Sequence, residues 1–341
     1  MRGKVALAAL LGLAVVVAGV AVGSVYIPPA DVLRIISHRA LGTALPAGLD
    51  SAHISIVWEL RLPRVLLAFV VGAALSVSGA VMQSVLRNPL ASSYTLGVSS
   101  GASLAAAIVI LYGFVIPLAG VMTLPLVGFM FGLGTIVLAL AFAARVDGQM
   151  QNNTVILAGM VFSLFVNAVT TLLISLSREH AARLIFWQMG SFAMRGWQAV
   201  AILTPVLLVI GLFVLGKSRE LDIMTFGEDQ ARTMGVRLGR VKWSLLIAAA
   251  GLTGSAIPFV GVIGFIDLVA PHLVRRVFGS SHRLVIPLSA LTGGAFMVLC
   301  DLAARTVISP SELPVGAVTA MIGAPFFVYI YLSGRKAGVN R

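Results

Sequence analysis

Apolar residues run along this chain in blocks of roughly 20, long enough for a helix to cross a bilayer, with short polar punctuation between them. Hydropathy windows predict ten helices at about 5–25, 62–84, 93–111, 118–144, 154–176, 197–216, 242–258, 262–278, 284–301 and 314–332. The fourth exceeds the bilayer thickness and is expected to tilt or project. Only the turn around "IPFVG" separates the seventh from the eighth. A transmembrane barrel would instead show alternating segments of roughly 10 residues, and the sequence has none. The pattern predicts an all-α polytopic membrane protein with a single transmembrane domain over 1–341. Its opening block, "MRGKVALAALLGLAVVVAGVAVGS", outruns the apolar core of a signal peptide and is read as a retained first span.

Composition supports this pattern. Hydrophobic residues make up 59% of the 341 and charged ones only 11%, against about 25% charged in soluble domains. A net charge of +12 suggests nucleic acid until its placement is considered. With the N-terminus inside, 16 of the 24 Lys and Arg fall in inner segments; Arg34, Arg39, Arg61, Arg64, Arg178, Arg183, Arg195 and Arg305 fall outside. The positive-inside rule therefore puts both termini in the cytoplasm, and no nucleic-acid partner is expected. All four lysines lie inside, and every outside cation is an arginine. Arginine's planar fork suits bidentate carboxylate pairing; snorkelling to headgroups is the plainer use of any one of them. Cys300, the single cysteine, excludes an internal disulfide or a CxxC metal site.

Two polar segments exceed what a connector needs. The outside loop 26–58 begins "YIPPADVLRII", which predicts a short interfacial helix after the proline pair. The inside loop 217–242 is rich in both charge signs, and its "EDQARTMG" predicts a short helix ending at Gly235. A 26-residue charged loop of this kind suits docking to a cytoplasmic protein.

"GLFVLGKS" at 211–218 fits the phosphate-loop pattern letter for letter. Its context is wrong: a membrane span precedes it, and its four variable positions are bulky and apolar. Helical N–H groups there are already bonded and cannot cradle phosphate. The stretch is expected to be the inner end of the sixth span, so the chain is not expected to hydrolyse ATP. Ionisable residues at membrane depth are few. They are Asp267 and His272 in "GFIDLVAPHLVRR", and Asp301, which can pair with Arg305 one helical turn on. His272, just after Pro271, is expected to cap carbonyls freed at the proline. So sparse a set weakens the alternative of a proton-coupled secondary carrier. Dense small residues, "GVSSGAS" and Gly72 and Gly79 among them, are expected to serve helix packing.

Seven stretches taken together resemble the FecCD family of permeases: "RLPRVLLAFVVGAALSVSGAVMQSVLRNPLA", "LGVSSGAS", "FWQMGSF", "GEDQARTMGV", "GFIDLVAPHLVRR", "SHRLVIPL" and "ELPVGAVTAMIGAPFFVYI". These permeases are membrane subunits of ATP-binding-cassette importers for iron–siderophores, haem or vitamin B12. The resemblance implies ten helices per subunit and residence in the bacterial cytoplasmic (inner) membrane. It implies a second permease subunit, with a homodimer expected, two cytoplasmic ATP-binding subunits, a substrate-binding protein, and no resident cofactor. By the same resemblance Arg61, Arg64 and Arg305 occupy positions that receive the binding protein. Gly227, Glu228, Ala231 and Gly235 match the motif that couples to the ATPase. Asn88 and Leu90 match the cytoplasmic gate turn. Asn152 and Asn153 stand at the gate's other side, where relatives often carry small hydroxyl residues. Asp267 departs from the Gly common in that slot.

Overall fold

The computed structural model describes residues 2–339 except 24, 45–48, 149 and 178–179, with side chains described between 3 and 329. Arg178 and Arg341 of the charge count lie outside the described residues, as do the side chains of Arg2, Arg335 and Lys336. The described residues form helices and no strand: α1 Arg2–Ala21, α2 Pro29–Leu41, α3 Ser51–Ser55, α4 Leu62–Val85, α5 Val98–Tyr112, α6 Thr123–Val146, α7 Asn152–Leu176, α8 Ala181–Gln188, α9 Gly196–Gly216, α10 Ser218–Met224, α11 Glu228–Thr233, α12 Leu238–Val260, α13 Ile266–Phe278, α14 His282–Thr306 and α15 Val315–Val339. Among the described residues, seven helices are long and apolar enough to cross a membrane, and the apolar stretches 98–112 and 315–329 are shorter.

Helix α4 is the axis of the bundle: 89% of its most apolar window is buried, against 22% for α1 and α9. Small residues make this position possible. A Cβ on Gly79 would fall on the Asp267 carbonyl, and one on Gly72 on the Gly293 carbonyl, so α13 and α14 approach α4 backbone to backbone. A buried hydroxyl knot fastens a third neighbour. The Thr253 hydroxyl of α12 lies 2.9 Å from that of Ser78 and 3.0 Å from that of Ser93, and Ser78 donates to the Ala249 carbonyl at 2.8 Å.

The predicted short helices are present. α2 starts at Pro29 and stops where Gly42, at φ 70°, donates to the His38 carbonyl. α11 covers most of "EDQARTMG". The inner loop has more structure than its sequence suggested, because α10 precedes α11. "GLFVLGKS" closes α9: the N–H of Lys217 bonds the Val214 carbonyl at 3.0 Å, a helix end rather than a phosphate cradle.

The predicted span 262–278 is corrected. α13 has 13 residues, a length of about 20 Å, too short for a hydrocarbon core of about 30 Å. Gly261 at φ 82° and Phe265 at φ 68° unwind the chain before it. Hydropathy could not register the break, because the unwound residues stay apolar. Two carbonyls at the break are met from inside the protein. Ser191 N–H donates to Val260 O at 2.8 Å, and Tyr94 Oη donates to Ile263 O. Pro271 has no N–H to offer Asp267 O one turn back, and Gln83 Nε2 donates to that carbonyl at 3.3 Å. Gln83 therefore does the capping expected of His272, whose half-buried ring packs edge-on to Phe327.

Candidate functional site

Polar groups gather at the two ends of the bundle. At the outer end the chain enters α4 through a π-helical turn, Ile56–Arg61, whose Leu62 N–H reaches back to Val57 O. Continuing that register, the next donor would be Pro63, which has none. The Trp58 carbonyl is left free and accepts from Trp197 Nε1 at 2.9 Å, while the two indoles pack at 5.1 Å. This turn sets Arg61 and Arg64 on the wall of a cleft of about 520 Å³, with Glu59, Arg195, Arg305 and Glu312 also lining it.

Each of the three predicted docking arginines is engaged within the chain. Arg61, 7% exposed, donates to the carbonyls of Val20, Ala21 and Val25 and so caps the C-terminus of α1. Arg64 holds two carboxylates: Asp301, fully buried, at 2.8–3.2 Å, and Glu312 at 2.7 and 3.0 Å. Arg305 lies 3.6 Å from Asp301 and donates to Gly19 O. The expected i,i+4 pair of Asp301 and Arg305 is present, but the closer partner of Asp301 comes from α4. Glu312, beyond the spans, is held below the ordinary carboxylate range by its hydrogen bond from Arg64.

At the inner end, the "NPL" turn folds around Asn88, whose Oδ1 accepts from Leu90 N–H at 2.9 Å; Leu90 is 52% exposed. Beside it Arg87, Gln151, Asn152, Asn153, Glu228, Asp229 and Arg232 line a cleft of about 440 Å³. The structure thus brings one residue of the predicted coupling motif, Glu228, together with the two asparagines at the start of α7. Lys242 of α12 joins them. Its side chain is fully buried, and its ammonium donates to Glu228 Oε1 at 2.7 Å, Met150 O at 2.8 Å and Asn152 Oδ1 at 2.9 Å.

The other coupling residues divide. Gly227 and Gly235 carry positive φ and shape the turns on either side of α11. Ala231 is fully buried and packs inward with the core. The surface α11 offers outward comes from Asp229, Gln230, Arg232 and Thr233, flanked by the exposed Phe226 and Met234. Sequence reading missed those two apolar residues, although large hydrophobics in a charged loop are a legible signal.

A second polar network runs from α10 to the end of α4. Asp222 accepts from the backbone N–H of His282 at 2.9 Å and from its Nδ1 at 2.6 Å. His282 Nε2 lies 2.6 Å from Ser84 Oγ, which also accepts from Arg275 at 2.9 Å. Arg275 in turn donates to Gln83. Lys242, His282 and Asp222 were not singled out from sequence, since only the fold places them on their partners. Asp267, 2% exposed, sits in the first turn of α13, where the helix dipole favours a carboxylate, and accepts from Ser92 Oγ. Its other oxygen has no partner among the described residues.

A profile described as the FecCD transport family matches residues 10–333. The chain is 41% identical over 323 residues to YvrB of Bacillus subtilis, described as an uncharacterized ABC transporter permease protein, covering 95% of this chain and 91% of that one. It is 39% identical over 298 residues to the Fe(3+) dicitrate transport system permease protein FecD of Escherichia coli, covering 87% and 91%. A solved structure described as a metal-chelate type ABC transporter in an inward-facing conformation superposes with a TM-score of 0.85 at 28% identity, over 98% of this chain and all of that one.

Proposed function

The chain belongs to the FecCD transport family, and from that premise we propose that it forms, with a second copy of itself, the pathway by which an iron–siderophore chelate enters the cell. It is a multi-pass permease of an ABC importer of the metal-chelate type, in the cytoplasmic membrane, working with ATP-binding subunits and a binding protein. Iron as cargo is supported by the Fe(3+) dicitrate relative, while a cobalamin import permease of Halobacterium salinarum, 38% identical, supports cobalamin as the alternative. ATP hydrolysis belongs to the two partner subunits, which bind the inner loop.

One observation carries the mechanism: the inner cleft is walled on one side by α11 and on the other by the start of α7 and the turn at Arg87. Movement imposed on the loop by an ATPase has a short path to Asn152, Asn153, Asn88 and Leu90, which form the inner gate. Phe226 and Met234 are the contacts we assign to the ATPase, with Gly227, Glu228, Ala231 and Gly235 holding the helix that presents them. At the outer end the arginine-lined cleft receives acidic residues of the binding protein. Arg61, Arg64 and Arg305 are its charged floor, and Arg195 is its exposed rim.

Cargo is tested by reconstituting the permease with its ATPase and binding protein and following uptake of ferric dicitrate, cobalamin and haemin separately. ATP-dependent accumulation of the iron complex alone is the expected result. Accumulation of cobalamin or haemin with no ferric dicitrate uptake overturns the cargo and leaves the permease assignment standing.

A further inference from the structure

Two chain segments, 150–152 and α11, meet at the Lys242 ammonium of α12, and each of its three N–H groups has one acceptor. Glu228 is the first residue of α11, Asn152 is the first residue of α7, and Met150 lies just before α7 with φ 53°. Lys242 itself stands in the second turn of α12. We propose that Lys242 is a positioning residue that locks α11 to the cytoplasmic end of α7, so that displacement of the ATPase-facing loop moves the gate instead of being absorbed between them. This rests on the reading of the chain as an ATP-driven permease.

Burial gives the link its stiffness. The Lys242 side chain is 0% exposed and Glu228 only 22%. Drawing Glu228 away would leave a buried cation without its counter-charge, which low-dielectric surroundings penalise heavily. The cheaper response to a pull on α11 is for Lys242 to follow, and Asn152 and Met150 are bonded to the same nitrogen. The adjoining cleft of about 440 Å³ leaves Asn153 and Arg87 room to shift. Another pair in the same loop lacks these properties. Lys217 and Glu220 bond at 2.8 Å within one helical turn, with side chains 36% and 27% exposed. Water can replace either partner there, and the pair connects no second helix.

The test uses the full complex with its ATPase in proteoliposomes. Cys300, the single cysteine and buried, is replaced by Ala, and Asn153→Cys reports the gate through its labelling rate with a water-soluble maleimide. The rate is measured without nucleotide and with ATP plus vanadate. In the K242M complex, ATPase subunits remain bound and hydrolysis stays within about twofold, while the nucleotide-dependent change in labelling falls about tenfold, a coupling loss of ordinary allosteric size. N152A, which removes one of the two gate-end bonds and leaves the one to Met150 O, shifts labelling the same way by a smaller amount. K217M, which breaks the exposed pair, leaves the change intact. A change of wild-type size in K242M or in N152A overturns the proposal. So does loss of the ATPase subunits from K242M, which would mean that the buried Lys242 only holds the docking loop in place. If the parent complex shows no nucleotide-dependent change at position 153, the permease reading falls and the link with it.

Discussion

Replacing Arg64 by Leu tests the outer cluster most sharply. Asp301 is fully buried, and the guanidinium of Arg64 supplies its hydrogen bonds. Removing that guanidinium strands a carboxylate in a low-dielectric site. Breaking a buried pair by deleting one member costs about 3–5 kcal/mol. Glu312, whose side chain is 41% exposed, recovers its solvation in water and adds little. Arg305, 3.6 Å from Asp301, can tighten and return part of the loss, so a value near the lower bound, about 3 kcal/mol, is expected. Replacing both Arg64 and Asp301 by Leu removes the stranded charge and should recover most of it. Unfolding in mixed SDS micelles, followed by tryptophan fluorescence, measures all three proteins. A single variant as stable as the parent, or a double variant no better than the single, refutes the reasoning. Charge reversal at Arg64 therefore reports folding as well as docking.

Arg195, exposed on the cleft rim, separates the two effects: Arg195→Glu should weaken binding-protein association, read by surface plasmon resonance, while stability stays within about 0.5 kcal/mol. Met234→Glu and Phe226→Glu should reduce co-purification of the ATPase subunits without altering the fold, read by quantitative pull-down and circular dichroism. Glu312 is held below its ordinary value by Arg64. Its contribution is therefore full above the unfolded carboxylate pKa of about 4.3 and is lost as pH falls through the lower folded value. Glu312→Gln should flatten that acid limb of the stability profile. Asp267→Asn removes the charge from a buried side chain that has one unpartnered oxygen, and the lower desolvation cost of the amide should raise stability by about 1 kcal/mol, measured by the same micelle titration.

Hydropathy made most of the fold legible because length and apolarity alone define a membrane span. It failed at 261–265, where a turn is built from Gly261, Ile263 and Phe265 that are as apolar as the helices they interrupt. The "YIPPADVLRII" and "EDQARTMG" helices were legible through their Pro starts, charges and Gly stops. Pairings across the fold were not. Arg64 meets Asp301 over a separation of 237 residues, and Lys242 meets Asn152 over 90. No local periodicity encodes such contacts. The neighbouring pair Asp301 and Arg305 was visible because helical spacing encodes it. Gln83 beneath Pro271 shows the same limit: the sequence announced a freed carbonyl, and only the fold could say whose side chain would meet it.

ATP drive separates this permease from a proton-coupled carrier. Proteoliposomes holding the chain with its ATPase and binding protein should accumulate ferric dicitrate only when ATP, ATPase and binding protein are all present, and an imposed proton gradient should add nothing. Accumulation by the chain alone, driven by that gradient without any ATPase, would contradict ATP drive.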